Sequence, residues 1–246
     1  MKTFRADLHI HTVLSPCSDL EMSPGNIIAK AKEKNLDLIG ITDHNCTKNC
    51  HITEQIGKEQ GIMVLCGAEI TTKEEAHCLA FFETPENLND FQHYLDTYLP
   101  DIQNDITKFG YQLVVDENEN IIEEIDKLLI SAINQNMDEI ESTIHGLNGL
   151  FIPAHIDRLK FSITSQLGFV PADIKADALE LSGNTSKNKF LENNPHLKDF
   201  SFIQSSDAHY IHQIGTVSTL FFMEQLSFDE ISSALKSKNG RRVEIR

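Results

Sequence analysis

The sequence predicts an α/β fold in which short buried strands alternate with amphipathic helices and pair largely in parallel. Two observations lead to this prediction. Apolar segments of four to nine residues recur along the chain, and most of them are separated by stretches with helical periodicity. Helix start signals also fall between the strands, as at Ser23-Pro24, where an N-cap residue precedes a proline at the first helical position. A length of 246 residues suits one such domain, covering 1–246.

Each element can be assigned in chain order. Strands are predicted at 3–11, 36–44, 62–70, 77–82, 149–155, 177–182, 200–209 and 216–223. A helix follows Ser23-Pro24 and ends at Asn35, and a second runs over about 48–60 and is closed by Gly61. The segment SFDE at 227–230 has the form of a capping box and opens the last helix.

The stretch 84–148 interrupts this alternation, because it is acidic and mostly helical in pattern. One helix is predicted from Thr84-Pro85, a short strand and turn within YQLVVDENEN, and a second amphipathic helix over 121–132. We interpret 84–148 as a helical insertion or cap within the single domain. An outer helical layer of the main fold is an equally good interpretation.

Charge and cysteine content restrict the class of protein. With 37 acidic and 21 basic residues the net charge is −16, which repels a phosphate backbone and makes long nucleic acid an unlikely partner. A small phosphorylated substrate is compatible with this charge if bound cations invert the local field. The sequence contains no membrane-length apolar run and no secretory pattern, and its five cysteines fit reduced thiols, so we expect a cytoplasmic protein.

The N-terminal strand carries Asp7, His9 and His11 at two-residue spacing. Alternate side chains of a strand share a face, so these three are expected to point the same way. Residues two apart lie about 6.7 Å apart along a strand, which allows two imidazoles to converge on one cation. A single His-x-His pair is more often structural than metal-binding, and this motif alone is therefore weak.

Further residues of the same chemical type stand at the ends of other predicted strands. They are His44, Glu69, His77, His155, Asp207 and His209. Most stand at carboxyl ends, which is the rim where barrel enzymes assemble their sites. Together these positions predict one shared metal site.

Four blocks of this sequence resemble the PHP (polymerase and histidinol phosphatase) family of metal-dependent phosphoesterases. The blocks are DLHIHTVLSPCSD (7–19), ITDHN (41–45) with GAEI (67–70), FIPAHIDR (151–158) and SSDAHY (205–210). The resemblance implies a distorted TIM-like (β/α)7 barrel with three divalent metal ions at its mouth. Mixed imidazole and carboxylate ligands suit Zn²⁺, Mn²⁺ or Fe²⁺.

The resemblance also implies the ligand sets. His9, His11, Glu69 and Asp207 would hold one ion, Glu69, His77 and His155 a second, and Asp19, His44 and His209 a third. Asp7 and Asp43 are expected to accept hydrogen bonds from the other ring nitrogens of ligating histidines, with an ordinary strand-end or turn aspartate as an equally good interpretation of Asp43. Arg158, three residues past His155, is expected to bind substrate phosphate, with pairing to a surface acid as the alternative.

These expectations lead to a hydrolase of small phosphate monoesters, in which a metal-bridging hydroxide attacks phosphorus. Glu69, Asp207 and His209 would be its catalytic residues, and either His209 or a water would protonate the leaving group. One alternative is a phosphodiesterase or exonuclease acting on nucleotides or short oligonucleotides. The other is a metal-stabilised sensor or partner-binding module without turnover.

Overall fold

A curled seven-stranded sheet forms the centre of the computed structural model, which describes residues 1–245. Arg246, the last residue of the predicted domain, lies outside the described residues. The strands are β1 (Lys2–Ile10), β2 (Leu38–Ile41), β3 (Met63–Thr71), β4 (His77–Phe82), β5 (Leu113–Val115), β6 (Ile121–Glu124), β7 (Leu150–Pro153), β8 (Leu179–Leu181), β9 (Phe202–Gln204), β10 (Thr219–Met223) and β11 (Arg242–Glu244). The helices are α1 (Pro24–Glu33), α2 (Cys50–Gln60), α3 (Pro85–Tyr98), α4 (Ile106–Phe109), α5 (Met137–Gly146), α6 (Ile163–Leu167), α7 (Lys187–Asn193) and α8 (Phe228–Leu235).

The strand order of the central sheet is β11-β10-β1-β2-β3-β4-β7, and β8 and β9 form a separate parallel pair. Backbone bonds connect that pair to the sheet on both sides. The amide of Ile156, after β7, donates to the carbonyl of Glu180 in β8 at 2.8 Å, and Ile10 at the end of β1 bridges to Ala208 after β9. Strands β1, β2, β3, β4, β7, β8 and β9 therefore form a distorted seven-stranded ring, which confirms the predicted TIM-like α/β architecture.

Parallel pairing holds for β1 with β2 and for β2 with β3, but β4 is antiparallel to both β3 and β7. Only residues 72–76 separate β3 from β4, whereas a parallel crossover requires a dozen residues or more. Strand β10 is likewise antiparallel to β1 and to β11, so the expectation of largely parallel pairing is wrong. The reversal of β4 places its first residue, His77, at the same end of the ring as the last residues of β1, β2 and β3.

The two long helices of the segment 84–148, α3 and α5, lie at its ends. Its middle holds the short helix α4 and the β5–β6 hairpin, so the helix predicted over 121–132 is wrong. Ile121 is 62% exposed rather than part of a buried stripe. The side chain of Gln112 donates to the carbonyls of Ile125 and Lys127 and accepts from the amide of Leu129, replacing helical hydrogen bonds there.

Two apolar layers position the ring. Leu8, Leu38, Leu65, Leu79 and Ile152 belong to the inner core cluster, closed at one end by α8. Val64, Cys66 and Ala68 of β3, which alternate with the inward-facing residues, belong to the outer cluster under the helices. Among residues 1–245, no helix is both long and apolar enough to cross a membrane.

Candidate metal centre

All eight strand-end residues singled out above meet at one end of the ring. His9 is the next-to-last residue of β1, His11 and His44 follow β1 and β2, and Glu69 lies near the end of β3. His77, His155, Asp207 and His209 lie at the start of β4 and after β7 and β9. Seven of the eight side chains are buried or nearly so, and the rest of the ring below them is apolar. The chain thus concentrates imidazole and carboxylate groups in a single pocket.

The Glu69 carboxylate lies at the centre of this group, because five ring nitrogens approach its two oxygens. Three nitrogens lie near Oε1, namely His77 Nδ1 at 2.7 Å, His155 Nε2 at 3.1 Å and His9 Nε2 at 3.3 Å. Two lie near Oε2, namely His44 Nδ1 at 3.1 Å and His11 Nε2 at 3.4 Å. Glu69 is 1% exposed. A carboxylate shared in this way can contribute one oxygen to each of two cation sites.

Asp207 supplies the second carboxylate that faces the histidines. Its Oδ1 lies 3.3 Å from His9 Nε2 and 3.2 Å from His11 Nε2, while Arg158 donates to Oδ2. The His209 ring stacks on that of His11 with 4.1 Å between the ring centroids. One oxygen of Asp207 therefore faces the histidines, and the other faces Arg158.

Three sets of atoms lie close enough together to hold a cation. They are the set His9, His11, Glu69 and Asp207, the set His44, Glu69 and His77, and the set His11, His44 and His209. Several nitrogen and oxygen atoms of these residues are buried without a hydrogen-bond partner, namely His9 Nε2, His11 Nε2, His44 Nδ1, His77 Nε2 and Asp207 Oδ1. Buried polar atoms are rarely left unpaired, so these atoms fit divalent cations of the Zn²⁺, Mn²⁺ or Fe²⁺ type.

The buried carboxylates of the pocket stabilise positively charged groups beside them. Burial alone would lower the pKa of His9, but the carboxylates of Glu180, Glu69 and Asp207 raise it well above its usual value. The pKa of His11 is raised against burial to about 9 by Asp207 and Glu69. The histidines in turn hold the pKa values of the two ligand carboxylates, Glu69 and Asp207, well below normal. The carboxylates are therefore ionised and available as ligands.

The Asp43 carboxylate is linked to His11 through Ser15, and not by the direct hydrogen bond expected from the sequence. Ser15 Oγ donates to Asp43 Oδ1 at 2.7 Å and lies 2.8 Å from His11 Nδ1. Since its single proton goes to Asp43, the hydroxyl accepts from Nδ1–H, and Nε2 is the ring atom that faces Glu69 and Asp207. Asp43 also accepts from the amide of Thr12 at 2.7 Å and so fixes the turn after β1.

Asp7 does not occupy the place expected for it. The β1–β2 register shifts between Asp7 and Ile10, and Asp7 pairs with Ile39, a residue of the outer layer. Among residues 1–245, the hydrogen bonds to the Asp7 carboxylate come from Ser206 and Gly215, and none comes from a histidine ring. The carboxylate accepts from the amide of Ser206 at 2.9 Å, which holds the loop before Asp207. Burial raises the pKa of Asp7 to about 6 against these hydrogen bonds.

Glu180 in β8 is a supporting residue that the sequence analysis missed. Its Oε2 lies 3.1 Å from His9 Nδ1 and accepts from the amide of His155 at 3.0 Å. The backbone of His155 has φ of 29°, and that of Asp207 has φ of 51°, so both lie in the left-handed region that costs strain. Glu180 and Asp7 each hold one of these two turns. The charged residue inside the apolar strand of DALELS was the available signal.

Two other predictions have different outcomes. Asp19 donates its amide to the carbonyl of His209 at 2.9 Å, but its Oδ1 accepts from the amide of Glu21, so its role as a ligand stays a prediction. Arg158 lines the pocket and is paired with Asp207. The pairing with an acid considered for Arg158 is therefore present, although that acid is itself in the candidate site.

The chain is similar to known proteins both in sequence and in fold. At the sequence level, the chain is 25% identical to the YqxK protein of Bacillus subtilis over 284 residues, covering 99% of this chain and 64% of YqxK. At the fold level, it is similar to the lesion-specific endonuclease PfuEndoQ of Pyrococcus furiosus, with a TM-score of 0.73 and 22% identity, over 98% of this chain and 58% of that one. An amidohydrolase from Chromobacterium violaceum shares the fold with a TM-score of 0.61 and 16% identity, covering 98% of this chain and 97% of that one.

The chain therefore spans roughly three fifths of the length of YqxK and of PfuEndoQ. The family model described as PHP domain matches residues 7–196, which include His9, His11, His44, Glu69, His77 and His155. Asp207 and His209 lie beyond the matched range but join the same cluster in space. The chain belongs to the PHP domain family.

Proposed function

We propose that this protein is a metal-dependent phosphoesterase that hydrolyses a small phosphate monoester in the pocket above Glu69. The observation that carries the proposal is the sharing of the Glu69 carboxylate between two potential cation sites. In the proposal His9, His11, Glu69 and Asp207 hold one ion, Glu69, His77 and His155 a second, and Asp19, His44 and His209 a third. Bound divalent cations would supply an activated water and neutralise charge on the phosphate oxygens.

The residues of the chain have separable roles in this scheme. Glu69 and Asp207 orient the histidines around the cation sites, and Arg158 presents a guanidinium at the pocket mouth that can bind phosphate. Burial and the neighbouring His11 lower the pKa of His209 to about 4. A neutral His209 ring at pH 7 supports a role as ligand rather than as proton donor to the leaving group.

A phosphodiesterase or nuclease activity is the second candidate. The fold resemblance to an enzyme described as a lesion-specific endonuclease favours it. A net charge of −16 argues against long nucleic acid, but it describes the whole surface rather than the pocket, where Arg158 and Lys160 provide local positive charge. We therefore keep nucleotides, oligonucleotides and longer nucleic acid as substrates to be tested. Most of the expected metal ligands lie together in one cluster, which argues against a metal-stabilised sensor or binding module without turnover.

A hydrolysis screen on Mn²⁺-reconstituted protein tests the proposal. The panel contains an aryl phosphate, an aryl phosphodiester, several sugar and nucleoside monophosphates, and single- and double-stranded DNA. The variant His155→Ala serves as the control for contaminating phosphatases. Monoester turnover that disappears in this variant supports the proposed function. Diester or DNA cleavage without monoester turnover supports the second candidate, and no hydrolysis with metals bound rejects both.

A further inference from the structure

The candidate pocket has an apolar wall that the metal chemistry does not require. The cavity measures about 580 Å³, a size suited to a small ligand. The potential metal ligands form its floor, and the wall includes Ile130, Leu159 and Phe161. Because hydrolysis breaks the bond between phosphorus and the leaving-group oxygen, the remainder of the leaving group takes no part in the reaction and can lie against the apolar wall.

Leu159 is the most exposed large apolar side chain of the described residues, at 94%. It stands between Arg158 and Lys160, and all three line the cavity. Exposed leucines are ordinary when they are scattered over a surface. Here the leucine lies between two cations at the mouth of a site, which suits a ligand that carries both phosphate and an apolar group.

Phe161 provides a flat surface beside Leu159. Its ring stacks on His77, with 5.1 Å between centroids and 14° between ring planes, yet 44% of the residue is exposed. The φ of Phe161 is 55°, a left-handed conformation that is unfavourable for a side chain of this size. Strain of this kind concentrates at functional sites, where the surrounding structure holds it.

The loop that carries these residues is held rigidly. Ser162 Oγ donates to the carbonyl of Arg158 at 2.6 Å, and the amide of His77 donates to the carbonyl of Phe161 at 2.9 Å. Asp157, the acid of this loop, accepts from the amide and the hydroxyl of Ser182, both at 2.6 Å. A preformed apolar surface loses little conformational entropy on binding.

We propose that Leu159 and Phe161 form the leaving-group subsite, and that the substrate is a phosphate ester whose leaving group carries a planar aromatic ring. The ring packs on Phe161 and against Leu159, while Arg158 and Lys160 face the phosphate. This inference rests on the proposed function, because it assigns the phosphate to the pocket floor. Asn184, exposed on the same cavity, offers an amide donor and acceptor to the edge of such a ring.

A matched pair of substrates tests the subsite. Adenosine 5′-phosphate and ribose 5-phosphate have the same ester linkage and differ in the presence of the ring. Stacking of a base on an aromatic side chain favours the nucleotide by roughly tenfold or more in kcat/KM. In Leu159→Ala and Phe161→Ala this ratio is expected to fall by about fivefold or more. Phe169→Ala, an exposed aromatic of the same segment outside the cavity, is the control and should keep the wild-type ratio.

Binding of adenosine, which has no phosphate, gives a second readout that does not depend on turnover. Ligand-observed NMR should detect adenosine on the wild-type protein and on Phe169→Ala, but much less on a Leu159→Ala/Phe161→Ala double variant. A protein that hydrolyses ribose 5-phosphate as well as the nucleotide would overturn the subsite while leaving the proposed function intact. An equal fall in kcat/KM for both substrates in Phe161→Ala would also overturn the subsite, since it would mean that Phe161 acts by holding His77 in place. Absence of all hydrolysis with adenosine binding retained would reject the proposed function alone.

Discussion

Glu180 Oε2 contacts two candidate ligands at once, His9 through its Nδ1 at 3.1 Å and His155 through its backbone amide at 3.0 Å. One buried carboxylate therefore fixes both the ring orientation of a histidine in β1 and the strained turn after β7. The His9 Nδ1–H is committed to Glu180, which leaves Nε2 to face Glu69 and Asp207.

Replacing Glu180 by Gln should therefore weaken metal binding although Glu180 belongs to none of the proposed ligand sets. We expect a loss of about 10- to 100-fold in affinity for Mn²⁺ or Zn²⁺, as measured by competition with a chelator. Glu192→Gln, a surface change in α7, is the matched control and should bind as the wild type does. Unaltered affinity in Glu180→Gln would show that His9 does not need this partner.

The change Glu69→Gln keeps the size of the side chain but removes the charge that two cation sites would share. We expect the bound metal to fall by up to two ions per chain and hydrolysis to fall by more than about 100-fold, since a shared ligand matters more than an outer-shell partner. Metal content is measured by elemental analysis and activity on the best substrate of the screen. Glu123→Gln, which affects a surface pair with Lys48, is the control, and full activity in Glu69→Gln would contradict the assignment.

Arg158 can be tested for its two possible roles by separating KM from kcat. If it binds phosphate, Arg158→Ala should raise KM by about 10- to 100-fold, the value of one charge-assisted hydrogen bond, and Arg158→Lys should restore part of the affinity. If Arg158 acts instead by positioning Asp207, metal content and kcat should fall while KM changes little. Arg242→Ala on β11 is the control for loss of a surface arginine.

A network outside the site should make stability depend on pH. Hydrogen bonds to Asp177, at 3.1 Å, and to Glu141, at 2.6 Å, raise the pKa of His145 above its usual 6.5, against partial burial. Because the folded state holds this proton more tightly, the stabilisation is fully present below about pH 6.5 and is lost as pH rises through the raised pKa.

Urea unfolding of the wild type and of His145→Gln should therefore differ most near pH 6 and converge towards pH 9. The difference should be about 1 kcal/mol or less, since the histidine is partly exposed and solvent screens its charge. His93→Gln, an exposed histidine on α3, should show no such trend. A difference that is constant or grows with pH would contradict the linkage.

Much of the centre was predictable from sequence because its residues stand at or near strand ends, and the ends of neighbouring strands meet at one rim of the ring. His9, His11, His44 and Glu69 needed only the boundaries of three strands to be placed at one rim. His77 was placed correctly for a reason that the sequence did not show, namely the reversal of β4.

The errors have physical causes that act over longer distances. The register of β1 with β2 shifts between Asp7 and Ile10, and such irregularities depend on the partner strand rather than on local sequence. Glu180 was missed because its partners, His9 and His155, are 171 and 25 residues away in the chain. In place of the helix expected over 121–132, residues 121–124 pair with β5, and the side chain of Gln112 bonds the backbone of Ile125, Lys127 and Leu129, which periodicity does not detect.

The closure of the ring at β1 and β9 links occupancy of the pocket to opening of the barrel. Two backbone bonds join these strands at Ala208, whose amide donates to His9 at 3.2 Å and whose carbonyl accepts from His11 at 3.0 Å. The side chains of His9 and His11 on one strand and Asp207 on the other belong to a single potential cation set. A cation bound there would hold β1 and the segment after β9 together. The amide protons of His11 and Ala208 should therefore exchange with deuterium more slowly when metal is present.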